Sequence, residues 1–428
     1  MADIVVEFER ISKDGLAVGV HDGREVFAYG ALPGEKAVVE ILRRPGARRI
    51  ARVKEVLVAS PARVPACEAH YLSCSPWQVI DYRAQVAFKR QMLEAMFAGI
   101  TGQQLTAERF YESEQAFGYR NKLEFSFAQV NGRLRLAFFE RGSPFRKVAL
   151  DEGCLLGTTL MNEAALEILG LLAARGVDAR QLKSLTVRES GTTQGVIAVL
   201  YVKDRQAAPL GLAPGRCAGF VVAWSDPRSP ASLVSEVLET RGHDTLEERL
   251  LDLTVEYPFN GFFQNHVELF RKALEEIREF MPECEKAAEL YCGTGAIGLA
   301  VRDRVKRLIA VESDPPSARF AQRNVERNRA SNIEICEGRV EQLAPEIFAG
   351  ADVLLLDPPR SGLHPKLIHK IVEAQPERIV YLACNPANQA RDFGLLREHY
   401  RPVALLGFDF YPQTPHVESL LVLDRLPR

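Results

Sequence analysis

A thiol and a carboxylate near the C-terminal end are the groups in this chain best placed for covalent chemistry. Arg378-Ile379-Val380-Tyr381-Leu382-Ala383 is a run of branched and aromatic residues that reads as a buried strand; Cys384 follows it, and Asn385-Pro386 turns the chain out of the sheet. The thiol therefore stands at a strand's carboxyl end, where open α/β sheets hold ligands and catalytic groups. A lone buried cysteine more commonly serves as a small hydrophobe, so its company decides. Glu418 comes just before the closing apolar strand Ser419 to Leu423, and Asp357 leaves the apolar run Val353-Leu354-Leu355-Leu356 into the rigid loop Pro358-Pro359. A thiolate and a carboxylate are the minimum set for methylating a ring carbon that is not nucleophilic enough by itself, such as C5 of uracil. Sulfur adds to C6 and makes C5 nucleophilic. A base then removes the C5 proton so that sulfur leaves by elimination.

The elements that would position these groups begin near Phe262, where helix and strand alternate as in βαβ units. Ala287-Ala288-Glu289-Leu290-Tyr291 runs into Cys292-Gly293-Thr294-Gly295-Ala296-Ile297-Gly298, a short strand entering a glycine-rich turn and a helix. Arg307 to Val311 is the next strand, and Glu312 ends it, 19 positions after Gly293. A carboxylate there suits the hydroxyls of an adenosine ribose. A dinucleotide would set its pyrophosphate on the helix N-terminus; S-adenosylmethionine has no phosphate and needs only room for its methionine and ribose. The Asp357-Pro358-Pro359 loop and Cys384 favour the methyl donor.

The chain has 428 residues, 47% hydrophobic and 26% charged, which is a soluble globular composition long enough for two or three domains. No stretch reaches the roughly 18 apolar residues of a membrane span, and the start lacks a basic signal-peptide region. A cytoplasmic location is expected. Eight dispersed cysteines form no disulfide framework. A formal charge of -2 gives no overall case for nucleic acid, so that case rests on local patches. Residues 5–60 alternate short strands with Gly and Pro turns, the pattern of a small β-barrel. Within it, Lys36, Arg43, Arg44, Arg48, Arg49, Arg52 and Lys54 face one acid, Glu40. So basic a hairpin suits a phosphate backbone, against the plainer reading of an edge guarded by charge. Cys67, His70 and Cys74 fit no standard metal spacing and read as structural. Asp81 to Phe97 has helical periodicity, and residues 117–240 favour strands, with Asn131-Gly132, Ser190-Gly191 and Pro214-Gly215 as turns.

With these motifs in place, the chain resembles the RNA uracil-C5 methyltransferases, S-adenosylmethionine-dependent enzymes of class I that make 5-methyluridine. The resemblance is carried by Leu290-Tyr-Cys-Gly-Thr-Gly295, Asp357-Pro-Pro-Arg360, Cys384-Asn-Pro386 with Arg391-Asp392, and His416-Val-Glu418; Ala31-Leu-Pro-Gly-Glu35, Tyr119-Arg-Asn-Lys122 and Phe138 to Ser143 extend it toward the N-terminus. It implies an OB-type RNA-binding barrel (TRAM) over 1–62 and an α+β central RNA-binding domain over 63–254, part of 80–115 packing with the catalytic domain. The third unit, 255–428, would be the Rossmann-like methyltransferase domain. It further implies Cys384 as nucleophile and Glu418 as proton acceptor, with Gln264, Tyr291, Glu312 and Asp357 lining the S-adenosylmethionine site. The substrate would be a uridine of ribosomal or transfer RNA, and the enzyme a monomer without a membrane partner. Many members carry an iron–sulfur cluster on four cysteines, the first three spaced C-x5-C-x2-C. Here Cys74 is off that spacing from Cys67, Ser75 occupies the third place and Cys154 resembles the fourth, so no resident metal is expected. His266 and Arg339 also depart from the family pattern. Two rival readings are an exocyclic-amine methyltransferase, which would not need Cys384, and an RNA-binding or RNA-folding factor with an inactive pocket.

Overall fold

The computed structural model describes residues 3–43, 48–102, 104–143, 145–192, 195–207, 210–342, 347 and 349–427. Five strands, β1 (Asp3–Ile11), β2 (Ala17–His21), β3 (Arg24–Tyr29), β4 (Lys36–Arg43) and β5 (Arg49–Val58), close a barrel in the order β1-β2-β3-β5-β4. β1 pairs antiparallel with β4 to complete it, and β3 runs parallel to β5. Alternation in these strands turns Val6, Phe8, Val26, Ala28, Val39, Ile41 and Ala51 into one core. The basic pair of strands is real, but much of its charge is spent internally. Lys36 Nζ donates to Glu7 at 2.8 Å and Lys54 Nζ to Asp3 at 2.8 Å, while Arg52 binds Glu40 at 2.9 Å and also Glu140. Arg44, the Pro45-Gly46 turn and the side chain of Arg43 lie outside the described residues.

A short helix α1 (Tyr71–Cys74) leads to the long α2 (Tyr82–Thr101), capped by Asp81, whose carboxylate accepts from the Arg83 and Ala84 amides. Strand β6 (Arg109–Tyr111) follows. The central module comprises β7 (Lys122–Val130), β8 (Arg133–Phe139), β9 (Lys147–Ala149), α3 (Thr159–Ala174), β10 (Leu182–Ser190), β11 (Gly195–Val202), β12 (Gly219–Trp224) and β13 (Glu236–Gly242), its strands ordered β13-β12-β11-β10-β7-β8-β9. α3 covers this sheet, burying Met161, Ala165, Ile168 and Leu172 against Leu123, Phe125 and Leu136. A hairpin, β14 (Thr245–Leu250) and β15 (Leu253–Pro258), carries the chain onward, so the expected boundary at 254/255 falls inside β15.

The remaining elements are α4 (Val267–Phe280), β16 (Cys284–Leu290), α5 (Ala296–Ala300), β17 (Val305–Glu312), α6 (Pro315–Arg327), β18 (Ile333–Glu337), β19 (Val353–Leu356), α7 (Pro365–Ala374), β20 (Arg378–Ala383), α8 (Pro386–Leu396), β21 (Tyr400–Phe408) and β22 (Glu418–Arg425). They form an eight-stranded sheet of order β18-β17-β16-β19-β20-β22-β21-β6. The order reverses between β16 and β19, the switch point at which such sheets open a ligand crevice. β6 adds the edge strand, parallel to β21, and α2 packs beside it with Leu93 and Phe97 in the core under the sheet. α2 and β6 thus pack with this eight-stranded sheet rather than with the central module. Lys89 of α2 is fully buried and donates to Asp409 and to the Tyr411 carbonyl at 2.9 Å. The barrel reaches the same region. Trp77 Nε1 donates to the Gly15 carbonyl and its backbone amide to the Gln413 carbonyl, both at 3.0 Å. Gly15, at φ +76°, lies so close to Pro415 that a Cβ would come within 1.9 Å of it.

Candidate active site

All six residues singled out for chemistry fall between Gln264 and Glu418, and five of them stand at one edge of the eight-stranded sheet. At the end of β16 the chain turns through Tyr291 (φ +64°), Gly293 (φ +56°) and Gly295 (φ +82°) before α5 begins. A left-handed tyrosine costs on the order of 1–3 kcal/mol and is typical of ligand clamps. Its hydroxyl lies 3.4 Å from Glu341 Oε1. Glu312, ending β17, accepts from the Gly293 amide at 2.9 Å through one oxygen and from the Ser313 and Asp314 amides at 2.6 and 2.7 Å through the other. The carboxylate is thereby fixed against the glycine turn, as the sequence spacing requires. Gln264, before α4, is buried, and its carbonyl accepts from Asn121 Nδ2 at 3.0 Å; this contact runs to the central module rather than to the other five residues. His266 caps α4 through Nδ1, bonds Ser113 Oγ at 2.7 Å through Nε2 and stacks on Tyr119. Burial lowers its pKa to about 4, which keeps the ring neutral in this structural role.

Cys384, Asp357 and Glu418 come together across β19, β20 and β22. Ala383 pairs with Ser419 in the antiparallel β20–β22 ladder, so one further step sets Cys384 beside Glu418. Glu418 is 1% exposed, and neither carboxylate oxygen has a hydrogen-bond partner among the described residues. Burial, with Asp357 adding to it, pushes this acid well above its ordinary value. Asp357, at the exit of β19, is raised by burial to about 7. The Cys384 thiol is pushed up to about 12 by burial first, then by Glu418 and Asp357, against an opposing pull from Arg360. A third acid escaped the sequence reading. Glu289 of β16 is 2% exposed, neither oxygen has a hydrogen-bond partner among the described residues, and burial, joined by Asp357 and Glu312 against an opposing pull from the Gly298 backbone, raises it to about 8. It packs against Gly298 of α5, where a Cβ would stand 2.3 Å from Oε2. An acid inside the otherwise apolar strand end Ala287-Ala288-Glu289-Leu290 was the available signal.

The remaining motif residues brace the loops. Asn385 and Asn388 donate to the Arg360 carbonyl at 3.1 and 2.7 Å, tying the Asp357-Pro358-Pro359 loop to the turn after Cys384. Buried Asp392 accepts from the Leu363 amide and the Tyr381 hydroxyl at 2.8 and 2.9 Å and pairs with Arg391. Gln389 donates to the Tyr381 carbonyl at 2.7 Å and accepts from Ser419 Oγ at 2.6 Å, which locks β20 to β22 beside the thiol. A separate cavity of about 1000 Å³ opens at the other end of the strands, lined by residues such as Cys284, Val305, Val353 and Arg378. It lies at the amino ends, away from the ligand edge of such sheets.

Residues 242–426 match the family model described as tRNA (Uracil-5-)-methyltransferase. An RNA methyltransferase of Enterococcus faecalis is 26% identical, with 99% of this chain and 97% of the relative covered; one of Synechocystis is 27% identical, with 96% and 94% covered. The fold is that of the Pyrococcus abyssi tRNA (uracil-54, C5)-methyltransferase, solved with S-adenosyl-L-homocysteine, at a TM-score of 0.78 and 24% identity over 98% of this chain and 100% of that one. Residues 242–426 thus carry the match to the tRNA (uracil-5-)-methyltransferase family, and the chain is an RNA-methylating enzyme.

Proposed function

We propose that this enzyme methylates C5 of a uridine in transfer or ribosomal RNA, with Cys384 as the nucleophile and Glu418 as the base. The observation that carries the reading is a half-buried thiol set beside a buried carboxylate that has no hydrogen-bond partner among the described residues. Such a carboxylate is costly to the fold, and a proton to be taken from a ring carbon gives it a use. The Cys384 sulfur bonds to C6, and the C5–C6 π electrons move toward O4. C5 then takes the methyl group, Glu418 removes the C5 proton, and the re-formed double bond expels the thiolate. Bound S-adenosylmethionine supplies an electrophilic methyl group on a sulfonium. Glu312 would hold its ribose, Tyr291 and Gln264 would flank the adenosine and methionine ends, and Asp357 would stand by the reacting centre.

The acid cluster suits this donor. Glu289, Asp357 and Glu418 share one low-dielectric region and raise one another's proton affinity or are raised by burial alone, which leaves the site short of positive charge. A sulfonium provides it and favours the ionised carboxylates. Affinity for S-adenosylmethionine is therefore expected to rise with pH as Asp357 and Glu289 shed protons near 7 and 8, by up to about tenfold per unit of pH. Affinity for the uncharged thioether S-adenosylhomocysteine is expected to follow a shallower slope. Calorimetric titration of both ligands across this range tests the point, and equal slopes would remove the charge argument.

For the RNA surface, the hairpin from β8 to β9 complements the barrel. Phe145 is 88% exposed and Phe139 50%, beside Arg146 and Lys147, a combination that stacks bases and neutralises phosphates. The target uridine would be turned out of its stack to reach Cys384. The decisive experiment uses RNA carrying tritium at C5 of uridine. Tritium release in step with methyl transfer is the expected result. Methyl transfer without release would favour the exocyclic-amine reading, and RNA binding with neither would favour an RNA-folding factor.

A further inference from the structure

Away from the reaction site, four metal-ligating side chains from two distant segments meet. Glu68, His70 and Cys74 lie between the barrel and α2, and Cys154 precedes α3; one ligand atom from each falls within 4.8 Å of all the others. A four-coordinate ion with bonds of about 2.0–2.3 Å needs ligand atoms roughly 3.3–3.8 Å apart, so the group needs only a small contraction. Cys154 is 2% exposed, and the side chains of Glu68 and His70 are 8% and 10% exposed. His70 Nε2 is buried without a hydrogen-bond partner among the described residues, and Glu68 Oε1 stands 3.2 Å away.

The shell around the group is built to hold it. Gln78 accepts from the Cys67 and Glu68 amides at 3.0 and 3.2 Å and donates to Glu68 Oε2 and Ser75 Oγ, both at 2.6 Å. Asn162 clamps the Cys154 backbone, accepting from its amide at 2.9 Å and donating to its carbonyl at 3.0 Å. Gly153 makes this approach possible: it has φ +98°, and a Cβ there would stand 2.2 Å from Asn162 Oδ1. The His70 ring packs on Phe138 at 5.6 Å. Such outer contacts are what orient metal ligands.

An iron–sulfur cluster of the kind held by four thiolates does not fit these residues. Only two thiols belong to the group, and Cys67 is exposed outside it. Two sulfurs, an imidazole and a carboxylate around a single closed position match zinc instead. We propose that Cys74, Cys154, His70 and Glu68 bind one structural Zn²⁺, which staples the segment after the barrel to the central module. This departs from the sequence expectation of no resident metal. Binding converts both thiols to thiolates and releases their protons.

The test is elemental analysis of the full chain purified without chelator, together with acid-labile sulfide. About one zinc per chain and no sulfide is the expected result. His70→Ala and Cys154→Ser should each lower the metal content at least about tenfold, whereas Cys67→Ser should retain it. If the depleted variants fail to fold, cobalt substitution of the unmodified chain gives the same information. Thiolate-to-cobalt charge transfer with tetrahedral ligand-field bands supports the site, and an octahedral spectrum without charge transfer refutes it. Iron with labile sulfide, a Cys74–Cys154 disulfide found by peptide mapping, or chain free of metal would each overturn the proposal.

Discussion

Cys384→Ala is expected to lower methyl transfer at least about 10⁴-fold, the scale lost when a covalent nucleophile is removed, while S-adenosylmethionine still binds. The change deletes one sulfur at the end of β20. It leaves intact the braces that fix the loop, since Gln389, Asn385 and Asn388 act on the Tyr381 and Arg360 carbonyls and on Ser419. Glu312 and the glycine turn sit on separate strands. Single-turnover assays and calorimetry separate the two effects, and a variant with full turnover would refute the nucleophile. The same argument sets the behaviour of the resting thiol. Pushed up to about 12 by burial and by Glu418 and Asp357, it is protonated at neutral pH. In the proposed reaction the thiol would therefore lose its proton only once RNA and donor are bound, when the sulfonium's positive charge lowers its proton affinity.

What the sequence could and could not tell follows from how local each signal is. Tyr291, Glu312, Asp357 and Cys384 each end an apolar strand at a Gly, Pro or charged turn, and that punctuation lies within a few residues of the group it positions. Parallel strands place all such exits on one edge, so recognising the βαβ alternation already implied their convergence. The central module was harder, because its long α3 lies between strands and its apolar residues run nearly continuously, which blurs helical periodicity. Contacts made across hundreds of residues left no local mark. The Lys89–Asp409 pair, the Trp77 bridge to Gly15 and Gln413, and the meeting of Glu68, His70 and Cys74 with Cys154 are tertiary facts. Spacing along the chain could not reveal this group, because Glu68, His70 and Cys74 meet Cys154 from a distant segment. Charge counting likewise overstated the barrel's free cations, because Asp3, Glu7 and Glu140, outside the basic stretch, pair with it.

Glu418→Gln is expected to separate the two halves of the reaction. Glutamine keeps the shape of the side chain but cannot take the C5 proton, so bond formation at C6 and methylation of C5 proceed while elimination stalls. Turnover should fall by about 10²–10⁴, and the RNA should remain on Cys384 as a species that survives a denaturing gel. The absence of any shifted band, with turnover lost, would count against the base role. Stability provides an independent reading of the same carboxylate. The folded protein holds Glu418 protonated well above the ordinary value of 4.5, whereas the unfolded chain ionises it there. Between those two points the native state binds more protons, so wild-type stability falls as pH rises. The amide carries no such cost. Glu418→Gln is therefore expected to be more stable than wild type near neutral pH, with the gap closing as pH falls below about 4. A variant that gains stability while losing turnover would mark Glu418 as a group the fold tolerates for its chemistry, and chemical denaturation at both pH values measures it.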